Sequence, residues 1–335
     1  MQSLPVSPVF SLVVLVTLGL FGFLGVFILG GLFGLNAAAQ AMGHFSSLDH
    51  RIHDLTYAFL FGTAVVGLLP QLRTPSKNVA GQLMALIPWA GFVLSFALGS
   101  ILIDLLRPPF VPIFGALTLL AITLHPTGRD LFRSFSVSRV NRVLLALVII
   151  AAVPLLAFAF TNIGLQRTVL NDHAAQSHYG YMAAFSFTVI GVGLLASLRP
   201  DGWRLTAWVA GLLPALLGIA SIVFPDVGSS LGLGWALAAI AWGVVFVAAA
   251  ELIRRASPVT YIGEDASVGP DRGSTAGAPR WLSVVGIIGL GLILLIVIIS
   301  FTGVGGPGGH TPPGGPGGPG GHSPPIQHGL QQPSP

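Results

Sequence analysis

The sequence predicts an all-α integral membrane protein with about nine transmembrane helices. Hydrophobic residues make up 53% of the 335-residue chain and charged residues only 8%, and the mean hydropathy is +0.85. A soluble domain is about 25% charged, and apolar runs long enough to cross a bilayer recur along this chain. These observations exclude a soluble enzyme, a nucleic-acid-binding protein and a disordered regulator.

Each predicted span is an apolar run close to the length of about 20 residues that crosses a bilayer. The first run is not expected to be a cleaved signal peptide, because residues 1–8 carry no Lys or Arg and the run is too long. The fourth run is short. The predicted spans are 9–35, 55–72, 79–103, 110–125, 143–164, 179–198, 205–224, 231–253 and 281–303.

Basic residues alternate between the two sides of the predicted membrane, and the positive-inside rule then gives the orientation. One side carries Arg73, Lys77, Arg129, Arg133, Arg139, Arg142, Arg199, Arg204, Arg254, Arg255, Arg272 and Arg280, and the other carries Arg51, Arg107 and Arg167. We expect a cytoplasmic N-terminus and an extracytoplasmic C-terminal tail. The preference for Arg over Lys is typical of a high-GC genome, and we expect a bacterial plasma (inner) membrane.

Polar landmarks predict that the first eight spans are two copies of a four-span unit. In each copy an Asp-His pair precedes the second span, and the third span has an early proline and ends at an aspartate. The matching landmarks are Asp49-His50 and Asp172-His173, Pro88 and Pro214, and Asp104 and Asp226. Because each unit has four spans, both copies enter the membrane in the same sense, which defines a parallel repeat.

This duplication gives the predicted domain boundaries. The first unit covers 1–128 and the second 129–253, followed by a cytoplasmic linker at 254–280 and the ninth span at 281–303. The tail at 304–335 is rich in Gly, Pro and His, and we expect it to be disordered on its own, since it cannot form a packed core.

Histidines and aspartates gather on the side predicted to be extracytoplasmic. The chain has no cysteine, and imidazole and carboxylate are then the ligands expected for zinc or copper. His50 and His53 are three residues apart and share a helix face, whereas His173 and His178 need a loop to meet. The candidate metal ligands are Asp49, His50, His53, Asp54, Asp104, His173, His178 and Asp226.

Two other interpretations of these histidines remain open. His53 and His178 from facing helices are candidate axial ligands of a b-type haem. Alternatively, the histidines are ordinary interfacial residues, and the aspartates favour helix N-termini without binding a ligand.

We expect a non-catalytic structural or accessory subunit of a membrane complex, in contact with lipid and with other membrane subunits. Glycines in the first and ninth spans allow close helix contacts with such partners. The sequence has no metalloprotease H-E-x-x-H, no G-x-S-x-G and no P-loop, so an enzyme is not favoured. The alternatives are a metal- or haem-binding protein in electron transfer or metal handling, and a carrier of an apolar solute.

Overall fold

The computed structural model describes residues 7–38, 48–106, 110–128, 131 and 139–256. These ranges contain helices and no strand. Seven helices are long and apolar enough to cross a membrane, which confirms the prediction of a helical multi-pass membrane protein. The eight main helices are α1 (Pro8–Leu32), α2 (Arg51–Leu68), α3 (Val79–Leu98), α4 (Phe110–Thr123), α5 (Arg142–Thr168), α6 (His178–Leu198), α7 (Trp203–Val223) and α8 (Gly232–Ala256).

The predicted count of nine spans is met only in part. Helix α4 has 14 residues, about 21 Å at 1.5 Å per residue, which is shorter than the hydrocarbon core of about 30 Å. The linker predicted at 254–280 begins inside α8, which runs to Ala256. The rest of the linker, the ninth span and the Gly/Pro tail lie outside the described residues.

Contacts between helix ends divide the bundle into two faces. At one, which we call the histidine face, His50 and His178 at the starts of α2 and α6 lie near Ser229, between α7 and α8. At the opposite face the ring of His125, which follows α4, packs edge-on against Phe10 of α1 at 5.4 Å. Successive helices therefore alternate in direction.

Helices α2, α3, α6 and α7 form the centre of the bundle; α1 and α4 pack beside the first pair, and α5 and α8 beside the second. Small residues allow close packing there. A Cβ on Gly91 of α3 would lie 2.8 Å from the Ala184 carbonyl oxygen of α6. The two halves of the chain thus pack backbone against backbone, the arrangement that small residues permit between helices in lipid.

At the opposite face, segments from the two halves of the chain are in direct contact. The Ala80 amide donates to the Asp201 carbonyl at 2.9 Å. Gly202 has a φ of +85°, and a Cβ there would lie 2.9 Å from the Asn78 Cα, so both the backbone conformation and the close approach require glycine. These contacts hold α3 against the turn between α6 and α7.

Candidate metal centre

Four histidines from the two halves of the chain converge at the histidine face. The ring centroid of His50 lies 4.6 Å from His173 and 4.8 Å from His178, and that of His53 lies 4.7 Å and 5.0 Å from the same two rings. His50, His53 and His178 are buried, while His173 is partly exposed.

The first half supplies its two histidines from the start of α2. His50 precedes the helix and His53 lies in its first turn, so the spacing of three places both rings on one side. The guanidinium of Arg51 donates a hydrogen bond to the Leu32 carbonyl at the end of α1. This bond ties the start of α2, and with it both imidazoles, to the neighbouring helix.

The second half supplies its two histidines from a tight connection between α5 and α6. A single helical turn, Asp172–Ala175, is capped by the Asn171 side chain, which accepts from the Ala174 amide at 2.9 Å. Ser177 then takes a left-handed conformation with φ +60°, which reverses the chain before His178. The His173 and His178 rings consequently lie 5.5 Å apart, although five residues separate them.

A glutamine at the end of α5 holds this connection in place. The Gln166 side chain donates to the Ala174 carbonyl at 2.8 Å and accepts from the Gly180 amide at 3.3 Å. One amide group therefore links the turn that carries His173 to the helix that begins at His178.

Hydrogen bonds orient all four rings. The Nδ1 atoms of His50 and His178 are 3.1 Å apart, so one donates and the other accepts. His53 Nε2 bonds with the Ser229 hydroxyl at 2.8 Å, and His173 Nε2 donates to the Asp49 carbonyl at 3.3 Å.

Three of the imidazoles are arranged so that they can hold a metal ion. One ring nitrogen from each of His50, His173 and His178 lies within 4.8 Å of the other two. Tetrahedral zinc with Zn–N bonds of 2.0–2.1 Å needs ligand nitrogens about 3.4 Å apart. The Nδ1 atoms of His50 and His178, 3.1 Å apart, are close to this separation, and a ring nitrogen of His173 lies within 4.8 Å of the ligand atoms of both.

The aspartates are placed differently from the histidines, and among the described residues the ligand group contains no carboxylate. Asp49 is exposed and contributes its backbone carbonyl. Asp54 is buried beside His53 in the first turn of α2. Asp104 is half-buried and acts electrostatically on Tyr181, and Asp226 is exposed.

The ring arrangement favours an ion over haem. His53 and His178, the two candidate haem ligands, stack face to face at 5.0 Å with 19° between their planes. A haem iron with two axial histidines is bound end-on by ring nitrogens from opposite sides of the macrocycle. These two rings would have to separate and turn before a porphyrin could lie between them.

Sequence reasoning missed the residues that cover the cluster. Ser229 is buried against His53, and a Cβ on Gly228 would lie 3.7 Å from His173 Nε2. The Tyr179 ring stacks on His173 at 5.9 Å, and its hydroxyl accepts from the Asn171 side chain at 3.1 Å. The loop between α7 and α8 gives no motif that indicates this role.

Two tyrosines close the site on the membrane side. Tyr181 lies 6.2 Å from His178 between ring centroids and stacks on Tyr57 at 4.6 Å. Phe61 and Phe92 contact Tyr57 in turn. A layer of aromatic side chains therefore separates the histidines from the apolar interior of the bundle.

Comparisons of the chain with protein-family models, with curated proteins and with solved structures give no match.

Proposed function

We propose that the protein binds one divalent transition-metal ion, zinc or copper, at the extracytoplasmic face of the membrane and serves there in metal handling or, if the ion is copper, in electron transfer, since zinc is redox-inactive. The convergence of His50, His53, His173 and His178 from opposite halves of the chain is the observation that carries this proposal. Neutral imidazole suits both metals. Three ligands leave a fourth position for His53 or for water, as in exchangeable and catalytic sites.

Metal content measured on the purified full-length protein tests the proposal. After equilibration with Zn²⁺ or Cu²⁺ and removal of loose metal, we expect one ion per chain in the wild type. The His178→Ala variant should retain none, because it removes one of the three nitrogens of the ligand group. Cobalt substitution adds a second readout, the visible absorption of a tetrahedral nitrogen site.

Matched controls separate this site from the other histidines. His125→Ala lies at the opposite face, and a variant with His310, His322 and His328 changed to Ala removes the imidazoles of the tail. Both should keep the tightly bound ion. A wild-type protein without metal, or a His178→Ala protein that keeps it, would mean that the cluster is only hydrogen-bonded packing.

We also propose that the chain acts as a structural or accessory subunit. Helix α1 supports this, since it is the least buried of the seven candidate spans and its Gly19, Gly22 and Gly25 face open space. Purification in mild detergent should yield stoichiometric partner subunits. Recovery of the chain alone, with its metal, would leave metal binding as its function and contradict the subunit role.

The four-helix duplication is part of the same proposal. If the four-helix unit is duplicated, the contact of α3 with α6 corresponds to that of α7 with α2, and the contact of α1 with α2 corresponds to that of α5 with α6. All four contacts are present. The orientation proposed from the loop charges places the histidine face outside. A periplasm-active reporter after Pro335 that is silent, with a cytosol-active one that works, would contradict this orientation.

A carrier of an apolar solute is less well supported. Such a carrier needs a path through both halves, but the prominent cavity among the described residues is lined by α5 to α8 and the residue before α8.

A further inference from the structure

A second candidate site, separate from the histidine cluster, lies among the apolar helices of the second half of the chain. A cavity of about 100 Å³ opens between α5, α6, α7 and α8. Its wall includes Pro154, Phe158, Pro214, Trp235 and Trp242. The prolines lie inside α5 and α7, where a proline removes a backbone hydrogen bond and bends the helix, so the four helices do not close completely.

The cavity extends far enough along the helices to take one lipid chain. Its wall residues run from Leu231, just before α8, to Val245, about 21 Å at 1.5 Å per residue, which is longer than one leaflet of the hydrocarbon core, about 15 Å thick. Helix α5 and helix α8 touch less than the other neighbours in this half, and apolar side chains such as Val153 and Leu237 are exposed beside them. Within the described part of the chain no other helix covers these side chains, so the adjoining phase there is lipid.

One tryptophan of the wall, near one end of the cavity, carries a polar group without a partner. The indole nitrogen of Trp235 is buried and has no hydrogen-bond partner among the described residues. The indole of Trp242, two turns along the same helix, is satisfied by the Leu147 carbonyl at 3.0 Å. A buried N–H without an acceptor is costly, so an acceptor supplied by a ligand would be favoured at Trp235.

The position of Trp235 identifies the acceptor. It is the fourth residue of α8, whose 25 residues span about 37 Å and extend about 4 Å beyond a core of about 30 Å at each end. Trp235 therefore lies near the boundary between hydrocarbon and headgroups on the histidine face. Ester carbonyls of glycerolipids occupy this boundary, with their chains pointing inward.

We propose that this cavity binds one acyl chain of a glycerolipid from the leaflet at the histidine face, with its ester carbonyl accepting a hydrogen bond from the Trp235 indole. Chain burial alone gains little in a bilayer, because lipid tails are as apolar as the wall. The hydrogen bond is then what selects an ester lipid at this position.

The test compares dioleoyl phosphatidylglycerol with its diether analogue, which has the same chains and headgroup but lacks the carbonyls. Retention of each lipid by the full-length protein in detergent is measured by native mass spectrometry. We expect the wild type to prefer the ester lipid about three- to tenfold, the effect of one hydrogen bond. In Trp235→Phe the preference should disappear. In Trp208→Phe, whose indole bonds to Glu251 and is not part of the cavity wall, it should remain.

A cavity-filling change gives an independent readout. Ala239→Phe projects from the wall and should lower retention of both lipids while leaving metal binding intact. Equal retention of ester and ether lipids by the wild type would overturn the proposal, as would an unchanged preference in Trp235→Phe. Metal content measured on the same samples distinguishes failure of this lipid site from failure of the metal site.

Discussion

The hydrogen bonds of the buried His125 side chain depend on the protonation state of its ring. The Thr127 amide donates to its Nδ1 at 3.3 Å, so the other nitrogen carries the hydrogen and donates to the Gln71 side chain at 3.2 Å. Gln71 in turn donates to the Asn78 carbonyl at 2.8 Å. Burial lowers the pKa of His125 to about 4 from 6.5, because removal from water disfavours the charged imidazolium.

This lowered pKa predicts a defined pH dependence of stability. Between pH 6.5 and about 4 the unfolded chain binds a proton at His125 that the folded chain does not, so the free energy of unfolding falls as the pH falls through this window. His125→Gln cannot be protonated and should lack this contribution. Thermal unfolding in detergent should give a wild-type minus variant difference that is constant above pH 6.5 and decreases towards pH 4; a difference independent of pH would contradict the prediction.

Ser229 makes a prediction for the metal centre at the same scale. Its hydroxyl fixes the ring of His53, which we propose for the fourth metal position, and loss of a group that orients a metal-site histidine typically costs 10–100-fold in affinity. Ser229→Ala should therefore weaken metal binding, measured by competition with a chromogenic chelator. Ser230→Ala is the matched control, since that hydroxyl bonds to the Ser221 carbonyl; equal effects of the two changes would exclude a specific role for Ser229.

The sequence could predict the relative placement of His50 and His53, but not the contact that Ser229 makes. His50 and His53 carry a helical spacing, so their shared side follows from the chain. Ser229 meets His53 only because the end of α7 lies beside the start of α2. That neighbour relation depends on how the helices pack, and the local sequence contains no signal for it.

At the scale of single helices, glycines contribute differently to stability, depending on which atoms lie next to them. A Cβ on Gly211 of α7 would lie 2.6 Å from the Gly243 carbonyl oxygen of α8, whereas a Cβ on Gly22 of α1 would meet no atom within 4 Å. The same substitution therefore tests packing at one site and backbone entropy at the other.

We expect opposite outcomes for Gly211→Ala and Gly22→Ala. The first must separate α7 from α8 and should lower stability by about 1–3 kcal/mol, the range for overpacking. The second gains helix propensity without a clash and should be neutral or stabilising by up to about 1 kcal/mol. Thermal unfolding of both variants in one detergent compares them, and similar losses in the two would contradict the packing of α7 on α8.

The helices themselves follow well from hydropathy, and their ends do not. The run predicted at 143–164 is realised as Arg142–Thr168, and the one at 79–103 ends at Leu98. Asn141 explains one boundary, because its side chain accepts from the Val143 and Leu144 amides at 3.0 Å as an N-cap. Hydropathy measures only the apolar run, so it cannot locate ends that are set by caps and by polar contacts at the membrane surface.

For the molecule as a whole, the histidine cluster joins the two halves at one face, while contacts between loops join them at the other. His50 comes from the first half, and His173 and His178 come from the second. The Ala80–Asp201 hydrogen bond makes the corresponding link at the opposite face. A metal ion bound to the three histidines would therefore cross-link α2 to α6 near the axis of the bundle.

This cross-link predicts that metal stabilises the entire fold. A ligand that binds only the folded state at 100 times its Kd adds about 2.7 kcal/mol to the free energy of unfolding. Added Zn²⁺ or Cu²⁺ should raise the unfolding temperature of the wild type with increasing concentration, and a chelator should reverse the rise. His173→Ala removes one of the three histidines of the ligand group, so the unfolding temperature of this variant should no longer respond to metal. His125→Ala, at the opposite face, should respond as the wild type does, and a metal response in His173→Ala equal to that of the wild type would show that the ion binds elsewhere.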